Sequence, residues 1–263
     1  CKDAGISCLG MLIGIPQWAA REPTDEEKEI AYNPNPASWV PRSTDEWYNY
    51  VYEVVSRYKD DVKYWEVMNE VNYHPPYTAS SFAGTTEDYA NLLRTAYSAA
   101  KAADPSCYVL TAGFAAPTGN ETLDKDMPYE FTKPEYAEGY YDIYNIHGYN
   151  GTDVWKGCLD NLRANRPDTS VWMSEFYPIN YSDETDAAFY NVSTYFDFIS
   201  IGCDKFLNMG TYGSEHFTTY STKSPTLCYQ ATGVLQNLMR KCNEYCGKAN
   251  IGENFVMPVN HQF

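Results

Sequence analysis

The chain has 263 residues, 44% of them hydrophobic, with a formal net charge of −16 and an isoelectric point near 4.5. That charge repels nucleic acid and anionic membrane surfaces, and no stretch approaches the roughly 20 apolar residues of a membrane span. A neutral ligand meets no such barrier, and the 25 tyrosines and 6 tryptophans supply flat amphipathic rings suited to covering sugar faces.

Strand and helix signals alternate along the chain. Ile6 to Ile15 is an apolar run with Gly10 and Gly14, followed by Pro16-Gln17-Trp18, which predicts a buried strand opening into a loop. A polar, proline-rich loop follows from Arg21 to Pro41. Ser43-Thr44-Asp45-Glu46 reads as a capping box, and Trp47, Tyr50, Val51, Val54, Val55 and Tyr58 repeat at helical spacing behind it. Val62 to Met68 is the next strand. Thr85 to Asp88 starts a second helix with Tyr89, Leu92, Leu93, Ala96 and Ala100 on one face, ended by Asp104-Pro105. Residues 108–111, 141–146, 171–173 and 206–209 read as strands. Residues 183–201 and 225–240 read as helices, the latter capped by Ser224 with Pro225 in its first turn.

Alternating strands and helices imply a parallel sheet. No glycine-rich phosphate loop follows any strand, which favours a barrel over a nucleotide-binding sheet. A chain of this length fits one such domain, residues 1–263.

The eight cysteines form no Cys-x-x-Cys pair, and Cys242/Cys246 with Cys228 upstream lacks zinc-site spacing, so disulfides in a secreted protein are expected. Asn120, Asn150, Asn180 and Asn191 match the glycosylation acceptor pattern, Asn191 inside a predicted helix. His74, His147, His216 and His261 are scattered, with no His-Glu-x-x-His, so no catalytic metal and no cofactor are expected.

Two segments carry the chemistry. Trp65-Glu66-Val67-Met68-Asn69-Glu70 and Val171-Trp172-Met173-Ser174-Glu175-Phe176 are apolar runs that end in a glutamate. Such a strand presents its carboxylate at the C-terminal edge, where parallel α/β folds place their chemistry. A pair of carboxylates suffices to hydrolyse a glycosidic bond, because the leaving oxygen needs a proton while the sugar carbon needs a nucleophile or an activated water.

These residues carry a family resemblance. Trp65 to Glu70 resembles the strand-four signature of the clan A glycoside hydrolases, and Asp142 to Tyr149 and Trp172 to Glu175 are similar to that clan's strands six and seven. Pro16-Gln17-Trp18-Ala19 resembles the end of strand three. The runs Asp45 to Lys59 and Tyr89 to Pro105 resemble family 39 in particular, with family 5 next.

The resemblance implies a TIM (β/α)8 barrel and a retaining β-glycosidase acting on a polysaccharide or oligosaccharide. Glu70 would be the acid/base and Glu175 the nucleophile, about 5–5.5 Å apart. Asn69 would bind the sugar 2-hydroxyl, His147 would position, Tyr149 would donate to Glu175, and Trp18 and Tyr212 would be sugar platforms. Glu66, of the same strand parity as Glu70 but one layer deeper, reads as structural. The protein would be a secreted monomer with a carbohydrate as its partner.

The chain departs from the clan where Met68 replaces a common tryptophan, where Val71 replaces a proline, and where Asn208-Met209-Gly210 replaces a strand-eight tryptophan. Matched to the clan, Ile6 to Ile15 is strand three, so the first two β/α units are expected to lie upstream, with activity weak without them. A non-catalytic carbohydrate-binding barrel is the alternative, against which the retention of two mutually repelling carboxylates speaks.

Overall fold

The computed structural model describes residues 3, 5–22, 24–25, 39–73, 82–117, 124–136, 138–177, 183–208, 226–239, 248–250 and 256–258. They fall into two units: residues 1–147 with 153–172, and residues 148–152 with 173–263.

In the first unit β1 (Cys8–Leu12), β2 (Val62–Val67), β3 (Tyr108–Leu110), β4 (Ile143–His147) and the start of β5 (Ser170–Glu175) follow one another in chain order across a sheet. The registers resolved for its first four strands are parallel, with Gly10 beside Trp65, Trp65 beside Val109 and Leu110 beside Ile143. Parallel neighbours need crossovers, and helices supply them: α1 (Thr44–Tyr58), α2 (Thr86–Ala103), the short α3 (Met127–Glu130) and α4 (Asp153–Asn165).

The helix ends follow from the sequence. The Ser43 hydroxyl accepts the Glu46 N–H, while the Glu46 carboxylate turns instead to Arg42 at 2.6 and 3.0 Å, so only half of the expected capping box forms. Thr85 and Asp88 make the full reciprocal box, and α2 stops before Asp104 as expected. Trp47, Val51 and Val55 bury the inner stripe of α1, and Trp47 Nε1 donates to Leu92 O at 3.0 Å, tying α1 to α2. Helix α4 was not foreseen. Its buried residues Trp155, Cys158, Leu159 and Leu162 do keep helical spacing.

Two polar links fix the strand ends. Lys101 pairs with Asp142 at 2.9 Å while Asp142 accepts the Val109 N–H at 2.7 Å, setting β3 against β4. The Tyr89 hydroxyl, fully buried on α2, donates to Val67 O at 3.2 Å and accepts the Ala112 N–H at 2.6 Å, just where β2 and β3 end. Burial drives its phenol well above the usual tyrosine range. Tyr89→Phe keeps the ring but leaves the Ala112 N–H unpaired, and is expected to cost about 1–3 kcal/mol. A lowered urea midpoint at unchanged slope is the measurement.

In the second unit the end of β5 is joined by β6 (Lys205–Phe206), through Leu207 N–H to Met173 O at 2.8 Å. Helices α5 (Glu184–Ser200) and α6 (Leu227–Met239) pack together, and β7 (Lys248–Asn250) pairs antiparallel with β8 (Val256–Pro258), a hairpin not foreseen. Asp183 caps α5 by accepting from the Thr185 and Asp186 N–H groups, which hold its carboxyl below the usual range.

Asn191, one of the four glycosylation matches, is buried in α5 and donates to Thr232 Oγ1 at 2.9 Å, so it is closed to a glycan. Cys8, Cys107, Cys158 and Cys228 are free thiols, so the expected disulfides do not form among them. Burial pushes the Cys107, Cys158 and Cys228 thiols up to about 11, and such thiols are unreactive at neutral pH. Cys1, Cys242 and Cys246, the Ser224-Pro225 cap and Tyr212 lie outside the described residues. Among the described residues no helix is long and apolar enough to cross a membrane.

Candidate active site

In the first unit the predicted acid/base segment leaves β2 by an unusual path. Met68 and Glu70 both adopt left-handed backbone, φ 68° and 43°, a region that costs a non-glycine residue about 1–3 kcal/mol and persists only when its surroundings enforce it. Here they do. Met68 N–H donates to Leu12 O at 2.9 Å, Glu70 N–H to Gly113 O at 3.1 Å and Tyr73 N–H to Glu70 O at 2.9 Å, while Asn69 forms a parallel bridge with Gly113. Beyond them the buried Asn72 clamps Ala115, accepting its N–H and donating to its carbonyl, both at 2.9 Å.

The result is a fixed carboxylate. Glu70 Oε1 lies 2.8 Å from His147 Nδ1, with the Glu70 side chain 15% exposed and His147 1%. His147 is the last residue of β4; its N–H donates to Phe114 O and its carbonyl accepts from Trp155 Nε1. Glu66 is wholly buried below, its Oε1 accepting the Gly113 N–H at 2.9 Å, in keeping with the structural role expected of it. Asn69 Oδ1 is buried and among the described residues has no hydrogen-bond partner, whereas buried acceptors are nearly always paired. Trp18 sits in a 3-10 turn (Gln17–Ala19) after β1 and is 70% exposed.

In the second unit Glu175 closes β5. Its carbonyl accepts the Gly148 N–H at 2.9 Å, and its Oε1 accepts the Tyr149 hydroxyl at 2.9 Å, the contact expected from the sequence. Tyr149 lies in the turn beyond β4, its ring edge-on to Tyr177 at 5.4 Å and tilted against Phe176 at 6.1 Å. Phe176 is buried against Phe206 and Tyr190. Gly148 permits this packing, since a Cβ there would stand 2.0 Å from Met173 Sδ. Asn208, at the position of the missing strand-eight tryptophan, donates to Asn191 Oδ1 at 2.5 Å.

Sequence reasoning missed Gly113, Gly148 and Asn72. The one available signal was a glycine within three residues of the end of an apolar strand, at 113 and again at 148.

Comparisons with known proteins find similarity to glycoside hydrolases. The model of glycosyl hydrolase family 10 matches residues 14–121. A family 39 glycoside hydrolase from Bacteroides cellulosilyticus is 20% identical with a TM-score of 0.66, over 95% of this chain and 54% of that one. A monomeric beta-xylosidase from Caulobacter crescentus is 14% identical with a TM-score of 0.63, over 86% of this chain and 52% of that one. A family 30 xylanase from Clostridium acetobutylicum is 14% identical with a TM-score of 0.62, over 92% and 57%. No curated protein sequence matches. The chain thus spans about half the length of these structures and shares their TIM-barrel fold.

Proposed function

We propose that the protein is a retaining β-glycosidase cleaving O-glycosidic bonds of a neutral polysaccharide or oligosaccharide outside the cell, as a monomer. The observation that carries the reading is local: Glu70 follows the C-terminal end of β2 and Glu175 closes β5, each held by one dedicated side chain, His147 for the first and the Tyr149 hydroxyl for the second. In this reading Glu175, oriented by the Tyr149 hydroxyl, attacks the anomeric carbon. Glu70 gives its proton to the leaving oxygen and then takes one from the water that releases the sugar. Asn69 supports it, because a sugar 2-hydroxyl would satisfy its open Oδ1. Trp18 offers an exposed ring for a neighbouring sugar, and Tyr212 is kept as a second platform from the sequence motif.

Hydrolysis of aryl β-xylosides, β-glucosides and β-mannosides, followed by proton NMR of the first product, tests the proposal. The β anomer should appear first and mutarotate later. An α product would mean an inverting enzyme, and no turnover of any β-glycoside would leave a carbohydrate-binding barrel.

A further inference from the structure

Gly113 follows β3 with no positive φ, so backbone freedom is not what keeps it a glycine. Space is. A Cβ at this position would lie 2.0 Å from His147 Nε2, 2.4 Å from His147 Cδ2 and 3.0 Å from Glu66 Oε1. The ring cannot retreat cheaply, because His147 is 1% exposed and its backbone is fixed to Phe114 on one side and Trp155 on the other. The same residue uses both its backbone groups: its N–H donates to the buried Glu66 carboxylate at 2.9 Å, and its carbonyl accepts the Glu70 N–H at 3.1 Å.

We infer that Gly113, anchored by Glu66, is the positioning residue for the Glu70–His147 pair. It holds the strained Glu70 backbone from one face and leaves open the slot in which the imidazole reaches Glu70 Oε1. The order of dependence runs from the buried Glu66 carboxylate to the Gly113 peptide, from that peptide to the Glu70 backbone, and from the missing side chain to the His147 ring. A methyl at 113 must displace either the ring or the peptide, and both movements open the 2.8 Å contact. The inference rests on the proposed role of Glu70 for its effect on rate, but not for its effect on the imidazole.

The test therefore has two readouts. With ¹⁵N-labelled histidine the chain gives four imidazoles, and His147→Asn identifies the signal of His147. In the wild-type background Glu70→Gln should shift the His147 ring nitrogens; in Gly113→Ala the same substitution should leave them unmoved. In kinetics, Gly113→Ala should lower kcat/KM for alkyl β-glycosides by about a hundredfold, the scale of a misplacement near 1 Å, while kcat/KM for dinitrophenyl β-glycosides, which need little protonation, stays nearly unchanged. Should Gly113→Ala fail to fold, Glu66 carries the test. Glu66→Gln keeps an acceptor for the Gly113 N–H and should preserve the coupling of His147 to residue 70, whereas Glu66→Ala should abolish it. Coupling that survives in Gly113→Ala, or in both Glu66 variants, overturns the inference. Absence of all glycosidase activity overturns the functional proposal while the imidazole spectra still decide this one.

Discussion

Glu175→Gln should lower kcat on every substrate by at least about 10⁴-fold, the scale on which enzymes lose rate when the nucleophile is removed. The amide is nearly isosteric and still offers an oxygen to the Tyr149 hydroxyl, so the contact at 2.9 Å and the end of β5 should survive. Thermal melting close to that of the wild type will separate loss of chemistry from loss of fold. What the amide lacks is the carboxylate that attacks the anomeric carbon in the proposed mechanism, and no leaving group would compensate for that. Dinitrophenyl and alkyl glycosides should therefore fail together. A 2-deoxy-2-fluoro β-glycoside with a good leaving group gives the complementary result, because the fluorine slows both steps and the leaving group rescues only the first. An ester should accumulate on Glu175 and be found by peptide mass. Labelling of another carboxylate would remove Glu175 from the role.

Much of this arrangement was legible because its parts are local. The helices at 44–58 and 86–103 announce themselves through a cap, an acidic first turn and an apolar stripe, all within one segment. Strands ending in Glu70 and Glu175 are visible as apolar runs that stop at a charge. Errors arose where local signals conflict. The apolar run at 6–15 yields a strand only over Cys8–Leu12, since Ile6 and Ile13 are 60% and 42% exposed and Gly14 turns the chain at φ 89°. Helix α4 escaped because Gly157 and four asparagines or aspartates dilute a stripe that does keep its period.

Other features were beyond any single-segment reading. The left-handed backbone at Met68 and Glu70 occurs at residues that do not favour it, imposed by bonds from Leu12 and Gly113. The Glu70–His147 contact spans 77 positions, and its dependence on a glycine at 113 is a matter of tertiary space. Residue types marked the candidate groups, whereas the backbone path and the space around each of them are properties of packing.

Glu70→Gln should separate substrates that Glu175→Gln treats alike. On alkyl β-glycosides the leaving alkoxide needs a proton in the transition state, and loss of the donor should lower kcat/KM by about 10²–10⁴-fold. A dinitrophenolate leaves without one, so kcat/KM for its glycoside should stay close to the wild-type value. The choice of kcat/KM matters, because it reports the steps through cleavage of the first bond. The overall kcat also contains hydrolysis of the glycosyl intermediate, in which Glu70 would act as base, so kcat should fall even on the dinitrophenyl substrate as the intermediate accumulates. Azide, a nucleophile that needs no base, should then restore turnover and yield the β-glycosyl azide. The amide can still face His147 Nδ1, where the carboxylate stands at 2.8 Å, so the fold around Met68 and Glu70 should hold. Equal losses of kcat/KM on the two leaving groups, or azide without effect, would mean that Glu70 shapes the strand end and the proton comes from elsewhere.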